Sequence, residues 1–215
     1  KDAKLKLVAG DINRVQEDVV RSKRPMLMAK EAAAPAFKEE SFFEYHIYTL
    51  ERKATLKENQ TKQISLLQAE GIQVTKEFTY YGAQYYYRSR LGEVVSNQNV
   101  GVHVQLNNSK ENRLGIPLPK GIVRAYKKDA DGSLQFIGED TVDHTPKDEK
   151  VRLKLGEAFD IKAERKQTHW EKVAVDTYES AYRISLRNHK KEDIVVRVIE
   201  PLPGDWKVLE NSLPY

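Results

Sequence analysis

Five histidines, at positions 46, 103, 144, 169 and 189, are the side chains best suited to acid-base work or to zinc at neutral pH. Zinc sites draw their ligands from helical i, i+4 pairs or from tight local clusters, and these five form neither. The densest acidic stretch is Glu139-Asp140-Thr141-Val142-Asp143-His144, where Asp140, Asp143 and His144 could give oxygen ligands to calcium or a carboxylate-imidazole pair for proton transfer. Glu164 and His189 are the residues that could join them. The oxygen spacing of a calcium loop is missing, and the same residues also read as a polar loop after a hairpin, with Asp143 capping Thr145 and Pro146. Asp129 and Asp131 resemble the opening of another calcium loop, but Gly132 comes too early and no glutamate closes it, so a tight turn fits better.

Nucleophilic and phosphate-binding signatures do not occur: no G-x-S-x-G elbow, no glycine-rich phosphate loop and, with no cysteine at all, no thiolate. The remaining candidate is aromatic. Tyr80, Tyr81, Tyr85, Tyr86 and Tyr87, beside Arg88 and Arg90, could form a patch that stacks on sugars or on a protein partner, although tyrosines so spaced also serve as strand and core material.

The elements that would carry these residues are strands. Val100, Val102, Val104 and Leu106 alternate cleanly, which places His103 on the opposite, solvated face. Phe43, Tyr45, Ile47 and Thr49 alternate with Glu44, His46 and Tyr48 in a strand beginning at Phe42. A polar turn at Lys57-Glu58-Asn59-Gln60 precedes apolar runs at Ile64, Leu66 and Leu67 and at Ile72, Val74 and Phe78, which suggests a meander. Ile122 to Tyr126 and Leu134 to Phe136 flank Asp129-Ala130-Asp131-Gly132 as a hairpin. Val151, Leu153 and Leu155 form one strand, and Phe159-Asp160-Ile161 begins another. A long hairpin is expected from Tyr178 to Val208, turning at Asn188-His189-Lys190-Lys191 and closing at Pro201 to Pro203.

The fold class expected is therefore mainly β, an antiparallel β-sandwich of immunoglobulin-like or related type, with a long, poorly structured linker near the N-terminus. Residues 1–20 read as a strand around Leu5, Leu7 and Ala9 and a short helix over Arg14 to Val20, belonging to a sheet begun upstream. Residues 21–41, rich in Lys, Arg, Ala, Pro and Glu, read as the linker. Residues 42–215 read as the antiparallel domain, with room for two sub-sandwiches meeting near 156–178.

In 215 residues, 36 Lys and Arg and 32 Asp and Glu are interleaved, as on a solvated surface. Without a basic stripe or a reading element, nucleic acid is not an expected partner, and no apolar run is long enough to span a bilayer as a helix. No metal or other cofactor is expected.

Several segments together resemble a bacterial family catalogued as domain of unknown function 4139. They include Leu7-Val8-Ala9-Gly10-Asp11, Phe43-Glu44-Tyr45-His46-Ile47-Tyr48-Thr49-Leu50, Asn59-Gln60-Thr61-Lys62-Gln63 and the stretch from Asp131 to Asp140. Asp143-His144-Thr145-Pro146, Glu164-Arg165-Lys166-Gln167-Thr168, Leu186-Arg187-Asn188-His189 and Glu200-Pro201-Leu202-Pro203-Gly204-Asp205-Trp206 extend it over nearly the whole chain, in family order. The resemblance implies no established activity. It implies a signal peptide upstream, hence a periplasmic, cell-surface or extracellular location, and strands beyond both Lys1 and Tyr215. On that reading the chain is a fragment whose open sheet edges pair with a protein partner or with a second copy. Its function is then that of a non-catalytic structural or protein-interaction module of the envelope, with a metal-dependent or acid-base enzyme and a carbohydrate-binding module as alternatives.

Overall fold

A computed structural model describes residues 2–10, 28–30, 37–55, 57, 60–91 and 95–213. Among them the structure is mainly β, in several sheets, with one 3-10 turn and no α-helix. The chain divides into two compact units, one of Lys1–Val74, Leu106–Val123 and Thr141–Val151, the other of Thr75–Gln105, Arg124–Asp140 and Arg152–Tyr215.

In the first unit, β1 (Asp2–Ala3), β2 (Lys6–Ala9), β3 (Met28–Lys30), β4 (Phe37–Phe42), β5 (Tyr45–Leu50), β6 (Ala54–Thr55) and β7 (Thr61–Gln63) form one three-stranded sheet, ordered β2-β5-β4, and two small pairs. The strand expected at Leu5 to Ala9 is present as β2, whereas the helix expected over Arg14 to Val20 lies outside the described residues. Two strands fall inside the expected linker of 21–41. From Phe37 on it is a hairpin arm, because Phe42 pairs with Tyr45 and the chain reverses at Phe43-Glu44 instead of beginning a strand at Phe42. Phe43 takes φ 57°, as the first loop residue of a tight hairpin requires, a conformation that strains a bulky side chain. The run at Ile64, Leu66 and Leu67 is not a strand; pairing stops at Gln63, and β7 runs parallel to β3 rather than in a meander.

Ile47, Tyr48, Leu50 and Ala54 are buried in this unit. The Tyr48 hydroxyl donates to the Pro117 carbonyl at 2.5 Å, and burial, helped by the charge of Glu39, pushes its pKa up to about 12. Asn108 is fully buried and acts as a clasp. Its Nδ2 donates to the carbonyls of Ile116 (2.7 Å) and Pro146 (2.9 Å), while its Oδ1 accepts from Gly115 N–H (3.1 Å). Such a side chain supplies the backbone bonds that a loop cannot make for itself.

The second unit is built on a five-stranded sheet ordered β13-β12-β9-β8-β14, from β8 (Thr75–Tyr81), β9 (Val95–Asn107), β12 (Lys150–Ala174), β13 (Thr177–Asn188) and β14 (Val196–Ile199). A separate two-stranded sheet pairs β10 (Gly121–Lys128) with β11 (Leu134–Val142), the expected hairpin, whose loop is closed by Asp129 N–H donating to Ser133 O at 3.0 Å. Gly138 in β11 has φ +151°, and a Cβ there would stand 2.8 Å from the carbonyl carbon of Leu155.

Several expectations fail in this sheet. β13 does not pair with the segment after Asn188; its partner is the preceding strand, with Ile184 opposite Arg165 and Tyr182 opposite Gln167. The segment from Ile194 to Ile199 instead forms β14 at the far edge, parallel to β8, with Val196 opposite Phe78 and Ile199 opposite Tyr81. The sheet is therefore mixed rather than antiparallel. Residues 156–178 lie within the second unit, and Val151 to Leu155 and Phe159 to Ile161 belong to a single strand, β12, rather than to two. Phe78, Tyr80, Val100, Ala158, Ile161 and Ala163 form the core, with Val102, Ile184, Ile194 and Val196 packed against it. Each large apolar side chain so buried contributes about 1.5–3 kcal/mol.

Candidate functional site

The pleat of β8 sends Phe78 and Tyr80 to one face and Glu77, Thr79 and Tyr81 to the other, and each face gathers a polar cluster. On the core face, β12 carries Ile161, Ala163 and then Arg165 in the same inward phase. The Arg165 side chain is wholly buried. A buried guanidinium is tolerated only if it is paired and surrounded by favourable dipoles. Glu200, just beyond β14, makes the ion pair to Nη2, and Nε donates to the Tyr80 hydroxyl at 3.3 Å. Three rings enclose the cation, with their centroids 4.7 Å (Tyr86), 5.1 Å (Tyr182) and 5.6 Å (Tyr80) from its central carbon.

A second layer of bonds fixes the cage. Tyr87 donates to Glu200 Oε2 at 2.6 Å, Tyr80 donates to Gln98, and Gln98 Nε2 donates to the Tyr86 hydroxyl at 2.7 Å. Tyr182 donates to the Tyr86 carbonyl and accepts from Gln167 Nε2 at 2.7 Å. Burial raises the pKa values of Tyr80, Tyr87 and Tyr182, and Glu200 adds to the rise at Tyr87, so these phenols stay neutral and serve as donors. Burial alone would lower the pKa of Arg165; its bonds to Tyr80 and Glu200 outweigh that and hold it above the ordinary value. Gly82 leaves the room for this carboxylate, since a Cβ there would lie 2.8 Å from Glu200 Cδ.

On the other face Arg152 fans across β8: Nε meets Glu77 Oε2 at 3.2 Å, Nη1 the Tyr81 hydroxyl at 3.1 Å and Nη2 the Thr79 hydroxyl at 2.8 Å. Arg197 lies 3.9 Å from the other Glu77 oxygen. His103, directly opposite Glu77 on β9, is only 5% exposed, which corrects its expected place on a solvated face. Alternation assigned it the face away from the valines, but on that face the Tyr81 ring, centred 6.3 Å away, and the neighbouring Arg152 side chain cover it. Its Nδ1 is buried without a hydrogen-bond partner among the described residues. Burial, with Arg152 and Lys154 nearby, lowers the His103 pKa and favours the neutral ring.

The five tyrosines singled out in the sequence do not form one patch. Tyr80 and Tyr86 are buried in the cage and Tyr87 closes it, whereas Tyr81 and Tyr85 remain 49% and 58% exposed. The acidic loop is divided likewise. The Asp140 carboxylate accepts from Lys154 N–H at 2.7 Å in the second unit. In the first unit, His144 Nδ1 accepts from Lys120 N–H at 3.2 Å and the Asp143 carbonyl accepts from the Thr145 hydroxyl at 2.8 Å. Glu164 is paired with Arg187 at 3.3 Å, and His189 is tied by its backbone N–H to Asp160 O. Among the described residues no three His, Asp or Glu side chains come together as a metal site.

Arg165, Tyr182 and Glu200 were missed as site residues. The signal for Arg165 was its position, in phase with Ile161 and Ala163, where a strand places side chains inward. Nothing local could link it to Glu200 or to Tyr86. No protein-family model, curated protein or solved structure matches this chain.

Proposed function

We propose that this chain is a non-catalytic interaction module of the bacterial cell envelope or exterior, a member of the domain-of-unknown-function 4139 family, with its sheets arranged as sandwiches of immunoglobulin-like or related type. One observation carries the non-catalytic reading: several of the side chains best suited to chemistry, Asp140, His144 and Glu200 among them, are engaged in holding strands and loops. Asp140 and His144 cap backbone N–H groups, Glu200 neutralises Arg165, and the cage phenols are donors held protonated. A catalytic base needs a lone pair within reach of a substrate proton, and the bonds these groups make point into the fold. The family and the location rest on the resemblance of the segments quoted above.

Calorimetric titration with Ca²⁺, Mg²⁺, Mn²⁺ and Zn²⁺ tests this reading, with no saturable heat expected. Stoichiometric binding abolished by Asp143→Asn or His144→Gln would overturn it in favour of a metal site. The exposure of Tyr81 and Tyr85 favours a second reading, carbohydrate binding by stacking. Glycan-array binding lost on Tyr81→Ala or Tyr85→Ala would establish that reading.

A further inference from the structure

β13 is a terminal strand of the five-stranded sheet. Natural edges are blunted by proline, by charged side chains, lysine above all, or by a bulge. Thr177–Asn188 contains no proline and no lysine, its charges are Glu179, Arg183 and Arg187, and its twelve residues pair with β12 in unbroken succession. The two register irregularities of this hairpin place their extra residues, Thr168 and Val173, on β12, the inner strand.

The charges on β13 are also mismatched within the chain. Glu179 lies directly opposite Glu171, and Arg183 directly opposite Lys166. Like charges facing each other across a strand pair are destabilising. Arg187, opposite Lys162, is answered by Glu164 at 3.3 Å, but Glu179 and Arg183 have no ion-pair partner among the described residues. An antiparallel strand on the free side of β13 could set opposite charges beside both.

We propose that β13 is a homodimer edge, pairing antiparallel with β13 of a second copy about a two-fold axis at Ala181. In this register Glu179 faces Arg183 of the second copy and Arg183 faces its Glu179, while Tyr178 meets Ile184, Ser180 meets Tyr182, and Ala181 meets itself. Centring the axis on Arg183 would oppose two arginines, and centring it on Glu179 two glutamates. The register at Ala181 opposes both Glu-Arg pairs and no like charges, so the sequence of β13 is complementary to itself reversed, as an isologous contact requires. Two sheets then join into one ten-stranded sheet. The proposal rests on the interaction-module reading and names its partner.

Sedimentation velocity on the whole chain, with three substitutions, tests it. The native chain is expected at twice the monomer mass, and Arg183→Glu to weaken the dimer at least about tenfold by opposing glutamates at both symmetric positions. The same change places opposite charges across the β12-β13 pair at Lys166, so loss of folding is not its expected effect. Adding Glu179→Arg restores the pairs and the dimer. Because the native chain has no cysteine, Ala181→Cys gives one thiol per copy, on the axis, where facing Cα atoms lie within disulfide reach. It cross-links on mild oxidation, and Ser185→Cys, set far from its mate, does not. A monomer at every concentration, a dimer indifferent to Arg183→Glu, or equal cross-linking at 181 and 185 overturns the edge. None of these outcomes bears on whether metal is bound, so the non-catalytic reading is judged separately by calorimetry.

Discussion

Replacing Glu200 with glutamine keeps the shape of the cage and removes the negative charge that pairs with Arg165. Arg165 would then hold a full positive charge, wholly buried, with three neutral rings and a neutral amide around it. Removing one partner of a buried pair typically costs 3–5 kcal/mol, and because Glu200 itself retains some exposure the low end applies, about 3 kcal/mol. Both tryptophans of the chain, Trp170 and Trp206, lie in the second unit, so their fluorescence reports the unfolding of that unit alone. With a urea slope of about 2 kcal/mol per molar, the midpoint of that transition should fall by about 1.5 M. Arg165→Met should lose the pairing too, but it leaves an apolar side chain among tyrosines and a carboxylate free to turn toward water. The double variant should therefore be more stable than the sum of the singles by about 2 kcal/mol, the signature of coupled residues. A midpoint shift under about 0.3 M, or strict additivity in the cycle, would refute the claim that this pair holds the unit together.

Gly82→Ala should crowd the same carboxylate and lower the stability of the second unit by about 1–2 kcal/mol in tryptophan-reported urea unfolding, an effect that disappears when Glu200 is alanine. Gly138→Ala combines a backbone clash at Leu155 with positive φ and should cost about 3 kcal/mol or more, seen as loss of cooperative unfolding by circular dichroism. His103 has a folded pKa below its ordinary 6.5, so the native state binds fewer protons than the unfolded chain, and stability present above pH 6.5 is lost as the pH falls below it. Urea midpoints measured from neutral to acid pH should fall less steeply in His103→Gln than in the native chain. Asp143→Asn should change stability by under about 0.5 kcal/mol by urea unfolding, because the loop bond at this position is made by its carbonyl, not its carboxylate.

Period-two alternation located β10, β11 and β13 and parts of β8, β9 and β12, since a side chain's phase along a strand is written in consecutive residues. Partnership is not written there. The sequence from Tyr182 to Ile199 suits a hairpin, yet β12 offers β13 a longer continuous partner, and Val196 and Val198 find their places against Phe78 and Tyr80. The same limit explains the site. Asp140, Asp143 and His144 are near in sequence but separately employed, while Arg165, Tyr86 and Glu200 meet only after three distant segments fold. His103 was misplaced because alternation gives a face and not what covers it.

The parallel contact of β14 with β8 joins residues roughly 120 positions apart, and such distant closures are slow steps in folding. During synthesis Phe78, Tyr80 and Arg165 emerge well before Val196 and Glu200 can reach them. Until then the second unit has an uncovered sheet edge and an unneutralised guanidinium, the sort of exposed intermediate that associates wrongly. Between translating Arg165 and translating Glu200 a nascent chain exposes both that edge and that guanidinium, and a chaperone acting in that interval would shield them.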